Sequence, residues 1–182
     1  MRITGIHYGI LRIPLRTPFK TALRTVETIE DVIVRIETDS GHVGYGEAPP
    51  TVAITGDSLE SILEALRGSI GPALLGRDIL AIDGNCQTVQ NAVLKNTSAK
   101  AAAEIALYDL FAQQAGKPLY QVLGGGQPRL ITDLTISAND TATMLYDCES
   151  ALERGFTALK IKVGKDVGDD IEGELDIVGQ HL

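Results

Sequence analysis

The sequence predicts an α+β fold that gives way, toward its end, to alternating strands and helices around a parallel sheet. Three observations carry this. The opening residues alternate with a period of two around one glycine-bearing turn, the middle holds a long helix with clean stops, and after Gly124-Gly125-Gly126 strand and helix patterns take turns.

Residues 2–13 form the first strand, with Ile6, Tyr8, Ile10 and Arg12 alternating against His7, Gly9 and Leu11. Pro14 is expected to end it, since proline lacks the donor a ladder needs. Residues 15–30 follow neither period and read as a long loop, of a length more often functional than decorative. Residues 31–37 and 43–47 are two strands around the turn Thr38-Asp39-Ser40-Gly41-His42, with glycine where positive φ is wanted. The opening is therefore a three-stranded antiparallel sheet. A second irregular stretch, from Ala48-Pro49-Pro50-Thr51 through Ile54-Thr55-Gly56, leads into a helix capped at Asp57 or Ser58. Leu59, Ile62, Leu63 and Leu66 mark its buried stripe, and Glu60 stands three residues past Asp57 as in a capping box. Gly71-Pro72 interrupts it, and a poorly patterned helix follows at 81–94.

Residues 97–115, capped at Thr97 or Ser98, place Ala102, Ile105, Ala106, Asp109, Leu110 and Gln113 near one face and stop at Gly116-Lys117-Pro118. Asp109 on that stripe is either a ligand or, as is commoner for a helix carboxylate, a tether for a nearby loop. Residues 131–137 then read as a strand, 140–154 as a helix and 158–163 as a strand. A last helix over 166–182 sets Ile171, Leu175, Val178 and Leu182 on one side, weakened by Gly168, Gly173 and Gly179 at about 1 kcal/mol each. That order means parallel pairing through crossover helices. The expected division is 1–127 and 128–182. The triple glycine is not followed by Gly-Lys-Ser/Thr, which rejects a phosphate loop.

Composition narrows the function. Hydrophobic residues make up 44% and charged residues 22%, the balance of a globular protein, and a net charge of −8 argues against nucleic acid or an anionic membrane as partner. No apolar run is long enough to span a bilayer, and Met1-Arg2-Ile3-Thr4-Gly5 lacks a signal-peptide core. Cys86 and Cys148, in unrelated contexts, read as reduced thiols of a cytoplasmic protein. His7, His42 and His181 offer no metal-ligand spacing.

The most distinctive stretch is Ala158-Leu159-Lys160-Ile161-Lys162-Val163-Gly164. Leu159, Ile161 and Val163 point to one face and Lys160 and Lys162 to the other, their heads roughly 6–7 Å apart. Such a pair is either an edge strand using lysine against aggregation or a cationic pair inside a cleft. In the second case each ammonium disfavours charge on its neighbour, and a lysine held neutral takes a proton from carbon as a general base.

Several stretches together resemble the enolase superfamily and, within it, the muconate-lactonizing-enzyme subgroup. They are Pro18-Phe19-Lys20-Thr21-Ala22-Leu23-Arg24-Thr25, Gly44-Tyr45-Gly46-Glu47-Ala48-Pro49-Pro50, the helical run from Ala101 to Leu110, Pro118-Leu119-Tyr120-Gln121-Val122-Leu123-Gly124-Gly125, and Lys160-Ile161-Lys162. Within the subgroup, the loop at 20–24 and the stretch at 47–57 are most similar to the L-Ala-D/L-Glu (dipeptide) epimerases.

The resemblance implies an α+β capping domain followed by the first two βα units of a (β/α) barrel, TIM-like and truncated, in an isomerase that uses Mg²⁺. It implies Lys162 as the general acid/base at the substrate α-carbon and Lys160 as the residue that holds a substrate carboxylate. It also implies Arg24 on the dipeptide's other carboxylate, Thr135 as a hydrogen-bonding residue, and Phe19 and Ile54 as walls of the pocket. Thr135 has a plain alternative as a β-branched strand residue, and Phe19 and Ile54 as core. The implied chemistry removes the proton α to a carboxylate, stabilises the enediolate with the metal, and returns a proton on the opposite face from a second lysine.

A complete barrel needs eight strand–helix units in about 250 residues, and two are expected here. No metal ligand is expected in this chain, because the acidic residues Asp166, Asp169, Asp170, Glu172, Glu174 and Asp176 fall on the last helix as a solvated face. The isolated chain is thus expected to be inactive and to form a homo-oligomer or pair with the missing barrel part. Two other functions fit the same residues: o-succinylbenzoate synthase or muconate cycloisomerase chemistry, and a non-catalytic domain that acts by association.

Overall fold

A computed structural model of the chain describes residues 1–20, 24–126 and 130–162. The last helix expected at 166–182 lies outside the described residues. Contacts divide the chain into two units, one of Met1–Ile13 with Ile29–Pro128 and one of Pro14–Thr28 with Arg129–Leu182.

Strands β1 (Ile3–Lys20), β2 (Thr25–Thr38) and β3 (Val43–Ala48) form one sheet in that order. β2 and β3 pair antiparallel, from Val32 opposite Ala48 to Glu37 opposite Val43, around a turn with Gly41 at φ 80°. Of the loop expected at 15–30, residues 15–20 and 25–30 are instead extended continuations of β1 and β2. Pairing supplies backbone hydrogen bonds that no side-chain period announces. Pro14 does not end β1, because β1 is an edge strand; Pro14 and Pro18 are an even number apart, so their missing donors fall on one side, where an edge needs none.

In the first unit, the sheet buries Ile3, Val32, Val34, Ile36 and Ala48 against helix α4 (Thr97–Gln114). The face that α4 presents is Ala99, Ala102, Ala103, Ala106, Leu107 and Leu110, all essentially inaccessible, while Ile105 is exposed. Small residues on both partners let the backbones touch: a Cβ at Gly46 would lie 1.9 Å from the Ala102 carbonyl oxygen, and one at Gly44 2.3 Å from that of Ala106. Asp109 settles as a tether. Its carboxylate accepts from the Tyr45 amide at 3.0 Å and from Gln113 Nε2 at 3.1 Å, and Gln113 also donates to the Val43 carbonyl at 2.8 Å.

Helix α1 (Leu59–Ala65) is capped by Ser58, one of the two expected positions, in a reciprocal box with Ser61 in place of the Asp57–Glu60 box. Asp57 serves another helix. Buried, it accepts from the Ser98 amide at 3.1 Å and hydroxyl at 2.8 Å, satisfying the start of α4, whose own cap is Asn96 in the left-handed region. Gly71-Pro72 does not interrupt the helix either. A π-helical turn, Leu66–Ile70, carries the chain into α2 (Gly71–Leu74), and the Leu66 carbonyl accepts both the Gly71 amide that closes the turn and the Tyr8 hydroxyl, the latter at 2.9 Å. Helix α3 (Ile82–Ala92) and a short α5 (Leu119–Val122), which the sequence pattern did not announce, complete the unit.

The second unit holds β4 (Leu134–Ile136), α6 (Thr141–Glu153) and β5 (Leu159–Ile161). β4 and β5 pair in parallel, and α6 covers one face of the pair with Met144, Cys148 and Ala151 against Leu134, Ile136, Leu159 and Ile161. Asp140 caps α6. The Thr143 amide, donating at 3.0 Å, and then its hydroxyl, at 2.8 Å, hold the Asp140 carboxyl below the ordinary aspartate value. Since the folded value is the lower one, this stabilisation is complete above the unfolded value and lost as pH falls through the folded one. The urea-unfolding stability gap between parent and Asp140→Ala is expected to hold steady from neutrality to about pH 5 and to close on further acidification. A gap unchanged to the acid limit contradicts the cap. Among the described residues, no helix is long and apolar enough to cross a membrane.

Candidate active site

The register of the second unit selects the face on which chemistry is available. Leu134 stands opposite Leu159, Thr135 opposite Lys160 and Ile136 opposite Ile161. With α6 covering the leucines and isoleucines, Thr135 and Lys160 take the other face. The ladder runs one residue past β5, because the Lys162 amide donates to the carbonyl of Ile136, the last residue of β4, at 3.2 Å. Alternation then brings Ser137 and Lys162 to the face of Thr135 and Lys160. Two hydroxyls and two ammonium groups line up across neighbouring parallel strands. Lys162 and Thr135 are half-buried and Lys160 is exposed.

The far end of the β1–β2 hairpin belongs to the same unit. Here β1 reaches the end of β4. The Ala138 amide donates to the Lys20 carbonyl at 3.4 Å, the Lys20 amide to Ser137 Oγ at 3.4 Å, and Lys20 Nζ to Asn139 Oδ1 at 2.7 Å. Phe19, half-buried, directly precedes this junction, and Arg24, exposed, begins the return strand. Ile54 is a residue of the first unit. It sits in a turn closed by its amide to the Thr51 carbonyl at 2.8 Å and is 70% exposed, so it is not core.

Of the six residues singled out from sequence, the second unit thus gathers Phe19, Arg24, Thr135, Lys160 and Lys162. Lys20, Ser137 and Asn139 were not singled out. Alternation from Thr135 alone would have found Ser137; nothing local points to the other two.

This face suits anions. Its hydroxyls and ammonium groups can hold a carboxylate, and a lysine next to a second cation is placed to act as a base once neutral. It does not suit a divalent cation, which two ammonium groups repel. Among the described residues, no group of three or more His, Cys, Asp or Glu side chains could hold a metal ion.

Residues 8–124 match the family described as mandelate racemase / muconate lactonizing enzyme, N-terminal domain. The L-Ala-D/L-Glu epimerase of Bacillus subtilis (strain 168) is 52% identical over 166 residues, which are 91% of this chain and 45% of that protein. Among solved structures, a substrate-liganded complex of the Bacillus subtilis L-Ala-D/L-Glu epimerase matches with a TM-score of 0.92 at 49% identity, over 99% of this chain and 49% of that one. The dipeptide epimerase of Cytophaga hutchinsonii, complexed with Mg and the dipeptide D-Ala-L-Val, matches with a TM-score of 0.91 at 35% identity, again over 99% and 49%. The chain spans about half the length of the curated relatives it matches.

Proposed function

The chain belongs to the mandelate racemase / muconate lactonizing enzyme family through its N-terminal domain, and on that premise we propose that the protein is a cytoplasmic dipeptide epimerase of the L-Ala-D/L-Glu type. The observation that carries the reading is the parallel pairing that sets Thr135 opposite Lys160 and lines both lysines up away from α6. High identity to an L-Ala-D/L-Glu epimerase supports the substrate class.

In this reading Lys160 and Thr135 bind the carboxylate next to the reacting carbon, the lysine by charge and the threonine by its hydroxyl. Lys162, two residues along the same face, takes the α-proton onto its neutral amine while the C–H electron pair moves into the carboxylate. Arg24 binds the second carboxylate of the dipeptide with its planar fork, and Phe19 walls the side chain. Returning a proton to the opposite face requires a second acid, which is not among the residues assigned here. Magnesium, which the Cytophaga hutchinsonii complex contains, would stabilise the charge gathered on the carboxylate, and among the described residues no group of three or more His, Cys, Asp or Glu could hold it.

The test is α-deuterium incorporation. The full-length protein, with Mg²⁺ in D₂O, is expected to exchange the glutamate α-proton of L-Ala-L-Glu and to yield L-Ala-D-Glu. A protein that exchanges no dipeptide at any concentration is not an epimerase, and the association reading replaces this one.

A further inference from the structure

We propose that Lys20 is a positioning residue that fastens the tip of the β1–β2 hairpin to the end of β4 and so sets where Phe19 and Arg24 stand. The inference rests on the reading above, since those two residues serve a substrate only if they line its site.

Three contacts join the tip to β4. The two through the Lys20 backbone are long, at 3.4 Å each, whereas the ammonium reaches Asn139 Oδ1 at 2.7 Å. A charged donor at that distance makes the strongest of the three bonds. Its acceptor is well held: Asn139 directly precedes Asp140, whose two bonds to Thr143 fix the entry to α6. The junction falls on Ser137, Ala138 and Asn139, which directly follow β4 and lie two to four residues beyond Thr135. Lys20 therefore ties the hairpin to the strand end where the candidate chemistry sits. Among the described residues no carboxylate pairs with it, so its charge is not cancelled there.

Hydrogen exchange of the full-length protein tests this without reference to activity. In Asn139→Leu, which removes the acceptor at similar volume, amides of residues 15–20 and 24–28 should exchange about tenfold faster while α4 and the rest of the sheet keep parent rates. Asn139→Asp retains an acceptor and should restore parent exchange. Lys20→Met should reproduce the loosened tip, and it decides the matter if Asn139→Leu fails to fold. With L-Ala-L-Glu, the loosened variants should raise KM about tenfold with kcat nearly unchanged, and Asn139→Asp should not. Unchanged tip exchange in both loosened variants overturns the anchor. A loosened tip with parent KM overturns its role in placing substrate. If the parent itself exchanges no dipeptide, the function reading fails, and tip exchange still decides the anchor.

Discussion

Lys162→Ala in the full-length protein is expected to lower α-proton exchange on L-Ala-L-Glu by about 10²–10⁴-fold or more, with thermal stability close to the parent. The two halves of that expectation come from the same strand. The Lys162 amide, not its side chain, makes the ladder bond to Ile136, and alanine keeps that bond. The packing of β5 on α6 is made by Leu159 and Ile161 on the opposite face. Removing the amine therefore subtracts chemistry and little else. Lys160→Ala is the informative comparison. Assigned to the carboxylate, Lys160 should act on both KM and kcat, whereas loss of the base should fall almost wholly on kcat. Exchange at the parent rate in Lys162→Ala removes this residue from the mechanism. A protein that no longer folds would mean that the side chain packs, contrary to its place on the face away from α6.

The lysine face was legible because a period of two survives any choice of partner strand: whichever neighbour β5 takes, Lys160 and Lys162 share a side. What remained hidden depended on the partner. That Thr135 stands opposite Lys160 is a matter of register, and register is written in two strands at once. The hairpin tip was hidden for the same reason. Residues 15–30 carry a proline, Pro18, and no period, and 15–20 and 25–30 are extended because each strand supplies the other's hydrogen bonds. Lys20 finds Asn139 across 119 residues, a contact with no trace in local pattern. Of the two caps offered for α1, Ser58 holds it, which leaves Asp57 to close the start of α4; the cap of α4 is Asn96, one residue before the expected Thr97 or Ser98. For Asp109 the general preference of buried helix carboxylates for a structural partner gave the right weight to the tether.

The largest effect on stability is expected at Gly46. A Cβ there meets three atoms of α4: the Ala102 carbonyl oxygen at 1.9 Å, its carbon at 2.9 Å and the Ala106 amide nitrogen at 3.1 Å. All three belong to the backbone of a helix whose face is otherwise filled, so no rotamer change relieves the collision. Either β3 or α4 must move, and α4 is held by Asp57 at its start and by Asp109 and Gln113 along β3. Gly46→Ala should therefore destabilise the protein by about 3 kcal/mol or more, at or beyond the upper end of what overpacking usually costs. Gly9→Ala is the control. It adds the same methyl to a strand of the same sheet with nothing within 4 Å, and it should stay within about 1 kcal/mol of the parent. Ala102→Gly should not rescue Gly46→Ala, because the obstacle is the carbonyl and not the alanine methyl. Rescue, or a loss no larger than that of Gly9→Ala, would show that β3 and α4 do not approach this closely.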